Sequence, residues 1–485
     1  MRFLLDTNIL IPLEDSRLPL RPSLANFVRL AREHGHQLVY HPASKDDINR
    51  DSNAERKSQT LVRLTQYTCL ESVPDCPWNT PETSPNDAAD NSILFALECE
   101  AAHFLVTEDK EIHSKARSRG LGERVYAIQT AEDLLRRLYE TTPVQLPNID
   151  DVPLHSLTPE LHDSFFDSLR QDYTFDEWFR RKAREQRKAW VYRDEENKLG
   201  ALCIYASQQN ERISDEGLVL AGASLKLCTF KVDQGCRGRK IGELFLKAAF
   251  RYATDNHLEH IFIHGSSEKQ SILFELLSDF GFEEAGSYGA DTVFLKKHPV
   301  SPPGEASDAF EYFRKYYPHY RGDDSVKKFI VPIRPEYHRV LFSDYHSQVD
   351  SLALFNSTHT ASNAIKQAYL CHAQLKQMDP GDIVLFYRLK DECAITSLGI
   401  VERYEVLNDV NQIISKVRRR TVFNMEQITE MARQPTKVML FRLVKHFRHP
   451  PSFEWLKQNR VVNGSIQSIQ KVEHDAFQRL ISEAS

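Results

Sequence analysis

The sequence predicts an α/β multidomain chain: a parallel-sheet α/β segment, then a second α/β segment, then a β-rich segment. Three observations carry this. Short apolar runs ending in acids alternate with helical patterns over the first 140 or so residues, the signature of a parallel sheet. A basic, glycine-bearing turn then joins a long β run to an amphipathic helix. Apolar β runs dominate the remainder. A length of 485 residues is enough for about three domains at roughly 100–200 residues each.

In the first segment, FLLD (Phe3 to Asp6) is a strand, QLVYHP (Gln37 to Pro42) a strand stopped by proline, ADNSILFALECEAA a helix opening on Asp90, and HFLVTED a further strand. The polar stretch Thr141 to Pro153 ends this segment, and the paired prolines of Lys296 to Ser307 end the second. The second holds the β run LVLAGASLKLCTFKVD and the helix IGELFLKAAFRYATDN. The third holds the strands IVLFYRL and KVMLFRLV and a DPGD turn set between a helical stretch and a strand. These breaks predict domains over 1–143, 150–298 and 308–485.

Composition narrows the function classes. With 62 basic and 68 acidic side chains the formal charge is −6, so any nucleic-acid contact must come from a local patch. A hydrophobic share of 41% excludes a disordered or collagen-like chain. The eight cysteines form no CxxC and no zinc-ligand spacing with histidine, which predicts reduced cysteines and a cytoplasmic setting. No window approaches the ~20 apolar residues of a membrane span.

The acids carry the first chemical signal. Asp6 and Asp109 follow apolar strands, Asp90 opens a helix, and Asp46 and Asp47 lie just past QLVYHP. In a parallel sheet these points can converge at the carboxyl edge. Clustered carboxylates repel one another unless a hard divalent cation neutralises them. The plain alternative is that Asp6 and Asp109 are turn residues and Asp90 a helix N-cap. FLLDTNIL, KDDI, AADNSILFAL and FLVTEDKEI resemble, in order, the four acidic motifs of the PIN-domain ribonucleases. The resemblance implies catalytic roles for Asp6, Asp47, Asp90 and Asp109, with Asp6, Asp90 and Asp109 binding Mg²⁺ or Mn²⁺. It makes Thr7, Asn8 and Thr107 the groups that orient these carboxylates. The second acid is glutamate in the family; Asp47 aligns with it, Asp46 is the alternative, and Asp87 and Glu108 are neighbours able to substitute.

In the second segment QGCRGRKIGELFL places Arg237, Gly238, Arg239, Lys240, Ile241 and Gly242 at a helix start, where exposed N–H groups favour a pyrophosphate. With IFIHG and SDFGFEEAG, this order resembles the GNAT acetyltransferases over residues 150–298. The resemblance implies that the turn binds the pyrophosphate of acetyl-CoA and that Cys228, Phe230 and Val232 border its pantetheine arm. Lys240 stands where the family has a glycine. Leu277, four residues before Gly281 and Phe282, stands where it often has a tyrosine acid, and Tyr288 is the candidate replacement.

The third segment, through FIVPIRPEYHRVLF, PGDIVLFYR and GIVE, resembles the ASCH domains with their PUA-like β-barrel, which implies RNA binding. Arg388, the run Lys416, Arg418, Arg419 and Arg420, and the run Arg442, Lys445, His446, Arg448 and His449 are candidate phosphate contacts. Tyr387, Phe423 and Phe441 are candidate stacking rings, though aromatics in such strands are more often core.

Together these imply a metal-dependent endoribonuclease joined to an acetyl-CoA-binding module and an RNA-binding module. PIN and GNAT folds both occur among toxins of toxin–antitoxin and phage-defence loci, which implies an antitoxin or regulatory protein as partner; PIN pairing implies a homodimer. Two other readings stand beside this one: an acetyltransferase acting on aminoacyl-tRNA or protein amines with the flanking modules docking RNA, such as tRNA, and a non-enzymatic RNA-binding regulator.

Overall fold

The apolar run after Met1 has room for one short strand before Asp6, and Phe3, Leu4 and Leu5 of that strand are fully buried. In the computed structural model the described residues are all except 15–20, 50–52, 71–73, 79–84, 141–148, 172–173, 195, 234–235, 237–239, 267–268, 306, 343, 346–364, 418–419, 421–422 and 485; the side chains of 14, 47, 54–56, 59, 85 and 86 are also outside them. The chain divides into two compact units, residues 1–144 with 407–436 and residues 145–406 with 437–485.

The first unit is a five-stranded sheet with β1 (Arg2–Leu5), β2 (Gln37–Tyr40), β3 (Thr68–Cys69), β4 (Phe104–Val106) and β5 (Val125–Tyr126). Its order is β3-β2-β1-β4-β5 and every pair is parallel. The chain steps outward from β1 to β2 and β3, then returns to lay β4 against the other side of β1. The order therefore reverses between β1 and β4, the place where open α/β sheets leave a crevice at their carboxyl ends. The helices are α1 (Thr7–Glu14), α2 (Pro22–Glu33), α3 (Pro42–Asn49), α4 (Ala54–Leu64), α5 (Pro85–Glu98), α6 (Lys110–Ser118) and α7 (Ile128–Tyr139). Leu4, Val39 and Leu105 pack with Ile93, Leu94 and Leu97 of α5 and Ile112 of α6. The Phe3 ring meets Phe27 edge-on at 5.2 Å and stacks on Phe104 at 5.4 Å.

The second unit begins with a seven-stranded sheet: β6 (Asp150–Pro153), β7 (Lys188–Arg193), β8 (Leu199–Gln209), β9 (Ala223–Val232), β10 (His260–Gly265), β11 (Glu283–Tyr288) and β12 (Asp291–Lys297), in the order β11-β12-β10-β9-β8-β7-β6. Helices α8 (Asp167–Arg170) and α9 (Phe175–Arg184) precede β7, α10 (Ile241–Asp255) joins β9 to β10, and α11 (Ser271–Asp279) joins β10 to β11. After α12 (Ala309–Tyr316) come β13 (Lys328–Ile333), α13 (Pro335–Leu341), β14 (Lys366–Cys371), β15 (Ile383–Arg388) and β16 (Ala394–Leu407). Next follow α14 (Val410–Val417), α15 (Met425–Met431), β17 (Thr436–His446), α16 (Phe453–Gln458), β18 (Gln470–Val472) and α17 (His474–Ala484). These strands make a sheet of order β14-β17-β16-β15-β13-β18, with β14 and β18 at its edges among the described residues.

Three expectations are revised. Residues 407–436, expected inside the third segment, cluster with the first unit: α14 packs on the turn Gly122–Arg124 and α15 on α7, burying Ile413, Ile414 and Ile428. The stretch before DPGD is the strand β14 followed by irregular chain rather than a helix. Asp90 does not open a helix but lies inside α5, which begins at Pro85, a residue pre-set for a first turn.

Candidate functional site

Asp6 directly follows β1 and Thr107 to Asp109 follow β4, so the β1/β4 reversal sets them side by side. The Asp6 carboxylate is 4% exposed and fully engaged. Its Oδ1 accepts the Thr7 N–H at 2.7 Å; its Oδ2 accepts Asn8 Nδ2 at 2.7 Å and Thr107 Oγ1 at 2.6 Å. Asn8 Nδ2 also donates to Thr107 Oγ1 at 3.0 Å, and Asn8 Oδ1 accepts the Glu108 N–H at 3.1 Å. These bonds fix the carboxylate's orientation. Asp109 caps α6, its Oδ1 accepting the N–H groups of Glu111 and Ile112. Of the plain alternatives, the N-cap role therefore belongs to Asp109 and not to Asp90.

Asp90 points from α5 into the same cluster. Burial, with the charges of Asp109 and Asp6 adding to it, pushes its carboxyl up to about 6 against the pull of Lys115. Burial also raises Asp6, and the Asp109 charge contributes. Asp90 thus feels the charges of Asp6 and Asp109, and Asp6 that of Asp109. Lys115 of α6 supplies positive charge here, at 2.7 Å from Asp87 Oδ1 and 2.8 Å from Asp90 Oδ2. Asp87, Asp90 and Glu111 bring one oxygen each within 4.8 Å of one another, a hard-oxygen donor set that fits Mg²⁺ or Mn²⁺.

Glu111 and Lys115 had no place in the sequence reading; the only signal was their i+2 and i+6 spacing from Asp109, which means nothing until α5 and α6 pack. Glu108 takes another role, its Oε1 accepting the Ile128 N–H at the start of α7. Asp46 is exposed on α3, while the side chain of Asp47 lies outside the described residues.

In the second unit, β9 and β10 are the parallel pair of their sheet and hold register only from Ser224↔His260 to Leu227↔Ile263. Beyond Leu227, β9 stays paired with β8 through Val232, so one edge of 228–232 has no strand partner among the described residues. The β8–β9 register shifts between Thr229 and Leu227, leaving Cys228 as a bulge. Bulges of this kind re-aim backbone groups beside functional sites. The Cys228 thiol accepts Arg187 Nη1 at 2.8 Å, and Phe230 packs edge-on to Phe245 of α10 at 5.4 Å.

Arg237, Gly238 and Arg239 lie outside the described residues. Lys240 is described and takes φ +59°, the left-handed conformation a glycine adopts without strain. Gly242 sits in the first turn of α10, where a Cβ would come within 2.9 Å of Leu276 Cδ2. An open strand edge running toward such a helix start fits a pantetheine arm and pyrophosphate. Leu277 is core, and Tyr288 is 47% exposed, stacked on His264 with ring centroids 4.9 Å apart. His264, at the end of β10, is held neutral by burial, its pKa lowered to about 4.

Two of the basic residues, Arg388 and Arg442, and all three aromatic rings expected to meet RNA are interior. Arg388 is fully buried because β15 lies between β13 and β16, and it pairs both oxygens of Asp391, at 2.9 and 2.6 Å. Arg442, 2% exposed, binds Glu402 at 2.9 Å and Asp279 at 3.0 Å. His446 bridges Ser397 Oγ at 2.8 Å and Asp344 Oδ1 at 3.0 Å. Tyr387, Phe423 and Phe441 are core. Arg448 and His449 are exposed, Lys445 is half-buried, Lys416 and Arg420 are half-buried in the first unit, and Arg418 and Arg419 lie outside the described residues.

Two stretches match family models. Residues 154–282 match the acetyltransferase (GNAT) family and residues 363–483 the EVE domain. Solved structures similar to parts of the chain include ASCH from Zymomonas mobilis, at 16% identity over 33% of this chain and 96% of that one, TM-score 0.26. A PaiA N-acetyltransferase from Thermoplasma acidophilum in complex with coenzyme A is 14% identical over 31% of this chain and 99% of that one, TM-score 0.24. A GNAT-family acetyltransferase from Staphylococcus aureus is 14% identical over 32% and 99%, TM-score 0.25. No curated protein matches the chain. Among the described residues no helix is long and apolar enough to cross a membrane.

Proposed function

We propose that the first unit is a metal-dependent endoribonuclease, joined to an acetyl-CoA-binding acetyltransferase module at residues 154–282 and an RNA-holding module at residues 363–483. The observation that carries the nuclease reading is the convergence of Asp6, Asp90 and Asp109 at the reversal between β1 and β4, where burial and the Asp109 charge raise both Asp6 and Asp90 and the Asp6 charge adds to the rise of Asp90. Asp6, Asp90 and Asp109, supported by Asp87 and Glu111, would hold Mg²⁺ or Mn²⁺. A bound ion supplies an activated water and charge stabilisation at a phosphodiester. Thr7, Asn8 and Thr107 keep the Asp6 carboxylate in one orientation. The N–H groups of α6 keep Asp109 in its own, and Lys115 balances Asp87 and Asp90.

The test is cleavage of total cellular RNA by the purified chain with Mn²⁺ or Mg²⁺, with EDTA and Asp6→Asn as controls. Cleavage abolished by both supports the reading; cleavage surviving Asp6→Asn refutes it. A growth-restricting role, and with it an antitoxin partner, predicts that toxicity on expression disappears with the same substitution. Pairing through the first unit predicts a dimeric mass in solution.

Acetyl transfer is the second activity, favoured by the family match and the β9/β10 opening. Cys228, Phe230 and Val232 would border the pantetheine arm. Lys240, Ile241 and Gly242, following Arg237 to Arg239, would carry the pyrophosphate. His264 near the end of β10 and Tyr288 at the end of β11 stack on one another, and an acceptor amine of an aminoacyl-tRNA or a protein would lie beside them. Binding of acetyl-CoA by calorimetry, lost in Gly242→Glu, checks this reading.

A further inference from the structure

Glu243 is the third residue of α10, the helix that follows the basic turn, and it is buried. Its Oε1 accepts the backbone N–H of Lys366 at 2.6 Å. Lys366 begins β14, an edge strand. On the inner side the bond from Leu443 N–H to Ile365 C=O, 2.8 Å, belongs to the preceding residue, so the polar groups of Lys366 point off the sheet. Lys240 directs its Nζ to the Lys366 C=O at 3.4 Å. Both backbone polar groups of one residue on the β14 edge, the N–H and the C=O of Lys366, are thus met by the start of α10.

The surrounding contacts anchor this seam. Lys366 Nζ pairs with Asp279 of α11 and lies 3.5 Å from Glu402. Arg442 joins the same two acids, and Lys247, one turn after Glu243, pairs with Asp344 at 2.6 Å. The acetyltransferase-like segment and the C-terminal sheet are held by complementary charge, and α10 is the element that touches both the cofactor turn and the strand edge.

A carboxylate in the first turn of a helix is stabilised by the helix's positive end. A pyrophosphate arriving at that end takes the same field, repels the carboxylate and attracts the Lys240 ammonium. We propose that Glu243 and Lys240 are positioning residues through which cofactor occupancy at the start of α10 is coupled to the outer edge of β14. Anionic cofactor weakens the hold of Glu243 and Lys240 on the Lys366 peptide and frees that edge. By reciprocity, whatever pairs with the β14 edge changes cofactor affinity by the same factor. The proposal rests on the acetyl-CoA reading of residues 154–282.

The test uses the full chain with coenzyme A as the probe, in calorimetry and hydrogen–deuterium exchange on the same preparation. Saturating coenzyme A should speed exchange of the peptide covering 365–371 by about fivefold, the lower range of allosteric coupling. Glu243→Gln keeps the shape and drops the charge. It should tighten coenzyme A binding by about the same factor and shrink the exchange response, whereas a merely structural role would leave affinity unchanged. Coenzyme A that binds without altering exchange in β14 overturns the coupling and leaves the cofactor reading standing. Failure of coenzyme A to bind at all overturns both. The first arm needs no variant, so the coupling is decided even where Glu243→Gln fails to fold.

Discussion

Two charged clusters in this chain differ in balance. At the β1/β4 reversal, Asp6, Asp90 and Asp109 lie with Asp87 and Glu111 around one cation, Lys115, which pairs with Asp87 and Asp90, and burial together with neighbouring carboxylates raises Asp90 and Asp6. At the seam of the second unit, Arg442 and Lys366 meet Asp279 and Glu402, base for acid, and the Asp279 carboxyl is held below its usual range despite its burial. A balanced buried cluster holds structure together. An unbalanced one stores repulsion that a cation would relieve, and such strain persists at sites that bind something. The two should respond oppositely to the loss of a charge.

The largest effect is expected at the balanced cluster. Arg442→Ala strands Asp279 and Glu402 and removes a guanidinium lying 5.2 Å over the Phe280 ring and 5.1 Å over Phe310. Removing one partner of a buried pair costs about 3–5 kcal/mol, to be read as lost stability of the second unit in denaturant titration. A variant as stable as the parent would mean the pairing contributes nothing. At the unbalanced cluster, Asp90→Asn should raise stability, on the order of 1 kcal/mol, while abolishing metal-dependent cleavage.

The same contrast has a pH form. The Asp90 carboxyl, near 6 in the folded chain, lies above its ordinary 3.8, so the folded state holds that proton more tightly than the unfolded one. The first unit therefore gains stability as pH falls through about 6 toward 4, and Asp90→Asn flattens that gain. On the proposed nuclease reading, cleavage should run the other way, falling below pH 6 as Asp90 protonates. Stability and activity that fall together with pH would break the comparison. Thr107→Val is milder: it removes the 2.6 Å bond to Asp6 Oδ2 without touching charge, and should lower cleavage about 10–100-fold with the metal requirement intact.

These clusters also show where the sequence is legible. Strands β1 and β4 announce themselves as apolar runs ending in acids, because a short parallel strand is buried on both faces and its carboxyl end is where polar residues resume. Asp6, Asp90 and Asp109 followed from that pattern and from motif order. Lys115 and Glu111 did not, since their place depends on α5 packing against α6. Arg388 and Arg442 misled for the same reason: a basic residue inside a strand run looks like an exposed contact until the acids that bury it, Asp391 in one case and Asp279 and Glu402 in the other, are brought near by the fold. The helical insertion 407–436 was equally hidden, because nothing local distinguishes a helix that packs on its own sheet from one that packs on the first unit.

The smallest effect tests a departure visible in the sequence itself. Lys240 occupies left-handed backbone where a glycine would sit without strain, a cost of about 1–2 kcal/mol for a residue with a side chain. Against that stands its Nζ contact to the Lys366 carbonyl, which at 3.4 Å is long and worth less than a close hydrogen bond. Lys240→Gly exchanges the one for the other while adding chain entropy to the unfolded state, so the expected net is a stability gain below about 1 kcal/mol. Coenzyme A affinity should still fall, because the ammonium lost is a counter-charge for phosphate. Differential scanning fluorimetry and calorimetry on the one variant read both quantities. Unchanged affinity would mean that Lys240 serves the strand edge alone, and that the neighbouring basic turn carries the phosphate without it.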